Sequence, residues 1–262
     1  MGKICTVAIH KGGTGKTTVS AHLAFLAAER GSRTLLIDLD SQGNASDTVL
    51  LEAANLKEVR TASDLFEESE PAKPILNARP QLDVLPADSR LLAVERLDFE
   101  AATLFSQRLK TLAADYDLVV IDTPPTMGFA MLAPLLTSDS AFAPIVPDAY
   151  SLKGIESLLT RVAEIRESHN PGLVFLGLLV NKWRRNSRAQ NDTVEQFRQE
   201  LGEYMIPHTV PEAAAIADAA HAHQPVWKNA KSGSQRKAGK AVREALLWVL
   251  NQTIPNAQEA TP

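Results

Sequence analysis

The sequence predicts an open, doubly wound α/β fold: a mostly parallel sheet with helices on both faces. Two observations predict it. Short β-rich apolar runs alternate with longer amphipathic stretches, the alternation that βαβ units produce. Several runs are apolar almost throughout, as strands buried on both faces of a parallel sheet must be. Right-handed crossovers carry the helices to the two faces, and ligands of such sheets bind at the carboxyl ends of the strands.

The first strand is expected at Ile4–Ile9, running through a glycine-rich loop into a helix over Thr17–Arg30 that Gly31 closes. A second strand at Thr34–Leu39 precedes Asp40. Glu67–Pro80, rich in proline and charge, reads as an irregular excursion before a short strand at Leu82–Leu85. A helix over Leu91–Ala114 then leads to strands at Leu118–Ile121 and Ala141–Val146. The helix Ser151–Ser168 is stopped by Asn170-Pro171-Gly172. The last strand is placed at Val174–Val180, and a helix over Thr193–Leu201 stops at Gly202. Ala241–Leu250 continues the fold as an amphipathic helix, and Thr253–Pro262 reads as a frayed tail. No repeat and no Gly/Ser linker divides the chain, so residues 1–262 are expected to form a single domain.

Composition sets the limits. With 45% hydrophobic and 22% charged residues among 262, the chain is neither disordered nor fibrous. Its one cysteine, Cys5, excludes an internal disulfide framework and a CxxC metal site, and suits a reducing compartment. The longest apolar run, Leu173–Val180, is strand-length, far short of a membrane span. No signal peptide is visible, so a cytoplasmic protein is expected.

The chemistry concentrates after the strands. In His10-Lys11-Gly12-Gly13-Thr14-Gly15-Lys16-Thr17-Thr18 the glycines free the backbone to wrap an anion. Loop amides and the helix N-terminus point inward, Lys16 adds a cation, and the Thr17 hydroxyl sits where a Mg²⁺ ligand belongs. The common pattern G-x-x-x-x-G-K-[ST] needs a glycine where His10 stands, and a second lysine, Lys11, appears inside the loop. Asp38 and Asp40 fall on one side of the second strand. Four apolar residues, Leu118 to Ile121, end in Asp122.

K-G-G-x-G-K-[ST]-[ST] after a first strand resembles the deviant Walker A motif of the ParA/MinD superfamily. The resemblance spans roughly residues 3–250. It implies a P-loop ATPase using ATP and Mg²⁺, with residues Gly12, Gly13, Thr14, Gly15, Lys16, Thr17 and Thr18 on the nucleotide. It gives Lys11 a role across a homodimer, reaching the partner's phosphates as an arginine finger would. Asp38-Leu39-Asp40-Ser41-Gln42-Gly43-Asn44 resembles the family's D-x-D-P-Q-G-N, with Ser41 in place of proline. By that resemblance Asp40 orients the attacking water and Asp38 supports the Mg²⁺ shell through water. Asp122-Thr123-Pro124-Pro125 resembles the Walker B end, where Asp122 holds Mg²⁺ through a water. Asn181 stands where relatives contact adenine, and Val210-Pro211-Glu212 matches a loop whose proline packs on the base.

Within the superfamily, iron–sulfur relatives need bridging cysteines that this chain lacks. MinD-type proteins end in a membrane helix, whereas the tail here is polar without a basic face, so no membrane partner is expected. The phosphate loop begins at residue 11, as in short-form ParA proteins without a helix-turn-helix module.

The net charge of −4 argues against DNA until it is divided. Residues 182–243 hold 11 Lys/Arg and 6 Asp/Glu, a net of +5, which leaves −9 for the rest. Lys231, Arg236, Lys237, Lys240 and Arg243 form one acid-free cluster with Lys228, a composition suited to phosphate backbones without base readout. Arg184, Arg185 and Arg188 form a second cluster, open to a role in DNA binding, at the nucleotide or at the dimer interface. The resemblance then implies a slow ATPase whose ATP-bound dimer coats nucleoid DNA non-specifically. A ParB-like centromere-binding partner would stimulate it to drive DNA partition. The same engine could position a carboxysome or chemoreceptor cluster, or cycle on a membrane as MinD does. A ligase sharing the loop would need a second substrate pocket, for which no motif is found.

Overall fold

The computed structural model of the chain describes residues 2–50, 60–67, 74–97, 99–148 and 151–255. Residues 256–262 of the expected frayed tail, and 68–73 of the expected excursion, lie outside the described residues.

Eight strands form one sheet among the described residues: β1 (Lys3–Val7), β2 (Thr34–Asp38), β3 (Ile75–Arg79), β4 (Leu82–Leu85), β5 (Leu118–Asp122), β6 (Ser140–Ile145), β7 (Val174–Trp183) and β8 (Met205–Pro211). Their order is β3-β4-β2-β5-β1-β6-β7-β8, with every pairing parallel except β3 against β4. The helices are α1 (Lys16–Glu29), α2 (Asn44–Val49), α3 (Leu91–Val94), α4 (Phe99–Ala113), α5 (Phe129–Leu135), α6 (Ser151–Ser168), α7 (Arg188–Leu201), α8 (Ala214–His221) and α9 (Gly233–Thr253).

Period-two alternation divides each central strand between two cores. On β5, Leu118 and Val120 face a core with Leu23 and Leu26 of α1 and Leu246 and Val249 of α9. Val119 and Ile121 face the opposite core with Phe105 and Leu109 of α4. A third cluster joins β6 and β7 to Ile155 and Leu158 of α6 and Phe197 of α7. α1 is buried along most of its length, lying between the sheet and α9, which explains its nearly unbroken apolar run.

Two edge strands depart from the sequence expectation. Ile75–Arg79 falls inside the segment read as irregular, and β8 follows the strand read as last. Prolines hid both: Pro74 and Pro80 flank β3, and Pro207 and Pro211 lie in β8. An edge strand tolerates proline because one side of its backbone needs no ladder partner. Asn77, inside β3 where its register with β4 shifts, and Gln81, in the β3–β4 turn, take φ of 52° and 59°, the left-handed region. The single helix expected over Leu91–Ala114 is two helices. The first ends at Glu95, whose carboxylate accepts a hydrogen bond from Thr126 Oγ1 at 2.7 Å, beyond the carboxyl end of β5. Cys5 is fully buried in β1, and burial pushes its thiol up to about 11, so it is unreactive. Among the described residues, no helix is long and apolar enough to cross a membrane.

Candidate functional site

β2, β5 and β1 are neighbours whose carboxyl ends finish level. Asp38 is paired with Asp122 across β2–β5, and Val7 with Asp122 across β1–β5. Three strand ends therefore deliver two carboxylates and the loop after β1 into one crevice, at the edge a doubly wound sheet reserves for ligands.

The loop has the shape of an anion cradle. Gly13 and Gly15 take φ of 74° and 89°, and a Cβ on Gly12 or Gly13 would meet only open space. Lys16, 6% exposed, donates its ammonium to the carbonyls of Ile9 (3.2 Å) and Lys11 (3.1 Å). Burial lowers its proton affinity, opposed by the negative charges of Asp122 and Asp40. Asp122 is fully buried and accepts hydrogen bonds from Thr17 Oγ1 (2.9 Å) and Ser20 Oγ (2.8 Å). Asp38, also fully buried, accepts from the amide and hydroxyl of Ser46 (both 2.8 Å) and from the Asp40 amide (3.1 Å). Burial raises the proton affinity of both carboxyls, and for Asp122 repulsion from Asp38 adds to it. Two adjoining carboxylates with hydroxyls as near neighbours suit a divalent cation. No group of three His, Cys, Asp or Glu side chains could hold a metal among the described residues. The ion's remaining ligands would come from hydroxyls, water and phosphate oxygens, as is usual for Mg²⁺.

Asp40 sits in the turn after β2, its Oδ1 accepting from the Gln42 amide at 3.0 Å. It lines a cavity of about 220 Å³ with Gln42, Leu92, Glu95, Pro124 and Thr126. Lys11 does not point into its own cradle. Its ammonium lies 2.5 Å from Asp148 Oδ2 and 3.1 Å from Ser151 Oγ.

A second cavity, of about 360 Å³, adjoins the cradle through Thr18. Asn181, Pro211 and Glu212 all line it, together with Lys182 and Ile216. Pro211 and the preceding Val210 end β8 rather than lying in a loop. Asn181 is engaged by the phosphate loop: its Nδ2 donates to the Thr14 carbonyl at 2.7 Å. Arg184 pairs with Glu212 at 2.8 Å, beside this cavity.

The two basic clusters meet in space. Arg185 packs over the Trp183 ring, 5.0 Å from its centroid, and lines a cavity of about 440 Å³ that also takes in Ser234 and Lys237 of α9. Arg188 begins α7 and is exposed. Lys231, Arg236, Lys237, Lys240 and Arg243 are all exposed, while Ala238, Val242, Ala245 and Leu246 bury the other face of α9. Ser232 caps that helix by accepting from the Gln235 amide at 3.1 Å.

Sequence reasoning missed Ser20 and Lys182. Ser20 was legible as the residue one helical turn beyond Thr17, on the same face. Lys182 was read only as a charge of the basic stretch 182–243, beside Arg184, Arg185 and Arg188.

Comparison with known proteins agrees with this architecture. A family model described as an AAA domain matches residues 2–175. Protein IncC of Escherichia coli is 38% identical over 261 residues, covering 95% of this chain and 70% of the relative. The sporulation initiation inhibitor protein Soj of Bacillus subtilis is 28% identical over 234 residues, covering 86% and 90%. A putative plasmid partition protein of Borrelia burgdorferi B31, solved with AMPPNP, superposes with a TM-score of 0.79 at 23% identity, covering 97% of this chain and 100% of that one. On the family model, the IncC relationship and the loop geometry together, the chain belongs to the ParA/MinD superfamily of partition ATPases.

Proposed function

We propose that this chain is an ATP hydrolase that dimerises on ATP, binds double-stranded DNA non-specifically and drives DNA partition with a ParB-like partner. The observation that carries the reading is the convergence at three adjacent strand ends of an open glycine cradle, a buried lysine and two buried carboxylates.

The roles follow from placement. Amides of residues 12–18 and Lys16 bind the phosphates, with the base against Pro211 and Asn181. Thr17 would hold Mg²⁺ directly, and Asp122 and Asp38 through water; the ion would supply electrostatic neutralisation of the phosphoryl oxygens. Asp40 orients the attacking water. Lys11 acts in the partner's site, so an isolated chain lacks one cation at the phosphoryl group and turns over slowly. Exposed cations of α9, with Arg185 beside Lys237, form the surface for phosphate backbones, which would associate the dimer with the nucleoid.

A DNA-shift assay with ATP, ADP and no nucleotide, repeated across a salt series, tests the reading. It expects retention of unrelated duplexes with ATP and steep weakening by salt. ATP-dependent sedimentation with liposomes and no DNA retention would overturn it.

A further inference from the structure

The end of β7 is irregular where it meets the phosphate loop. Lys182 takes φ 53°, a left-handed conformation that a side chain with a Cβ adopts at a cost in free energy. Its amide is held by Asn181 Oδ1 at 2.9 Å, and the β7–β8 register shifts between Val180 and Trp183. The turn throws the Lys182 side chain back over the loop, where the ammonium donates to the Gly13 carbonyl at 2.7 Å. Beside it, Asn181 Nδ2 donates to the Thr14 carbonyl, also at 2.7 Å. Gly15 makes the approach possible, because a Cβ there would lie 2.3 Å from Asn181 Nδ2.

Two consecutive loop carbonyls are therefore drawn to one strand end. A trans peptide is planar, so its N–H points opposite to its C=O. Pulling the Gly13 carbonyl outward turns the Thr14 amide inward, and pulling the Thr14 carbonyl outward does the same for the Gly15 amide. These are amides of the anion cradle.

We propose that Lys182 is a positioning residue for the phosphate loop: with Asn181 it clamps the Gly13 and Thr14 carbonyls, and so pre-orients the Thr14 and Gly15 amides toward a nucleotide's phosphates. This deepens the nucleotide-site reading and rests on it for the ligand's identity. The clamp itself is a property of the free protein. It also joins the wall of the base cavity, which Asn181 and Lys182 line, to the phosphate cradle.

The test compares Lys182→Met, which keeps the aliphatic stem, with Lys182→Arg, which restores a cationic donor. In glycine-labelled, nucleotide-free protein, the heteronuclear NOE of Gly13 and Gly15 is expected to fall in the Met variant and recover in the Arg variant. ADP affinity, by calorimetry, is expected to fall roughly tenfold in the Met variant, the loss of one charge-assisted hydrogen bond. Unchanged loop dynamics in the Met variant would overturn the proposal, even with weaker ADP binding, because that pattern marks a direct contact to the phosphates. Changed dynamics in a protein that binds no ADP at all would leave the clamp standing and reject the nucleotide reading.

Discussion

Lys11 Nζ is 2.5 Å from Asp148 Oδ2, so the lysine that the proposed reaction places in a partner's site is held within its own chain. Ser151 completes the hold: its hydroxyl donates to the Val146 carbonyl at 2.6 Å and accepts from Lys11 at 3.1 Å. Closing a dimer through Lys11 has to break this pair first. Asp148→Asn should therefore favour the ATP-bound dimer. The pair is about one-third exposed on both sides, so the gain is small, about two- to fivefold in the dimerisation constant. Sedimentation velocity with ATP measures it. A dimer weakened by the substitution would mean that Asp148 serves the closed state instead.

Lys16 and Asp40 should fail differently. Lys16 is buried with its ammonium on the Ile9 and Lys11 carbonyls at the mouth of the cradle, so it is the cation that a phosphate would meet. Lys16→Ala is expected to weaken ADP at least about 30-fold in a calorimetric titration. Asp40 lies outside the cradle, in the turn, with one carboxylate oxygen on the Gln42 amide. Asp40→Ala should leave ATP binding intact, abolish turnover and accumulate the dimer. Unchanged turnover would remove Asp40 from the reaction.

How much of this was legible follows from the kind of signal each residue carries. The parallel core, the loop and Asp122 were readable because buried strands are continuous apolar runs and the motif is contiguous. β3 and β8 were not, because edge strands carry prolines and owe their pairing to tertiary contact. α8 was missed because its eight residues span barely two turns, too few for a helical period to be counted. The Lys11–Asp148 pair joins positions 137 residues apart, and no local pattern encodes it. The meeting of Arg185 with Lys237 is of the same kind: sequence gave two clusters, and only the β7–β8–α9 packing makes them one surface.

The basic surface should be separable from the nucleotide site. Arg236 Nη1 donates to the Lys231 carbonyl and Lys240 pairs weakly with Glu244 at 3.7 Å, so both charges remain available to solvent. Arg236→Ala with Lys240→Ala should lower the slope of log affinity against log salt by about 2, at roughly 0.9 per lost phosphate contact. Reversing both charges to Glu should abolish DNA retention with ADP affinity unchanged. Full retention in the reversed variant would move the DNA surface off α9.

His22 makes acid stability a further test. The ring is fully buried in α1: Nδ1 donates to the Thr18 carbonyl at 2.7 Å, and Nε2 accepts the Val226 amide at 3.1 Å. Only a neutral ring can fill both roles. Burial depresses its pKa to about 4, opposed by the Thr18 carbonyl. The folded value lies below the usual 6.5, so the unfolded chain takes up a proton that the folded chain refuses. Stability from this group is therefore complete above about pH 6.5 and is lost as pH falls toward 4. Linkage gives a loss of about 1.3 kcal/mol between pH 7.5 and 5.5. His22→Gln keeps an acceptor for Val226 but cannot titrate. Urea midpoints at the two pH values should fall less in that variant, by about this amount in free energy. An equal fall in both proteins would show that His22 is charged in the fold, and that the Val226 loop is held to α1 by something else.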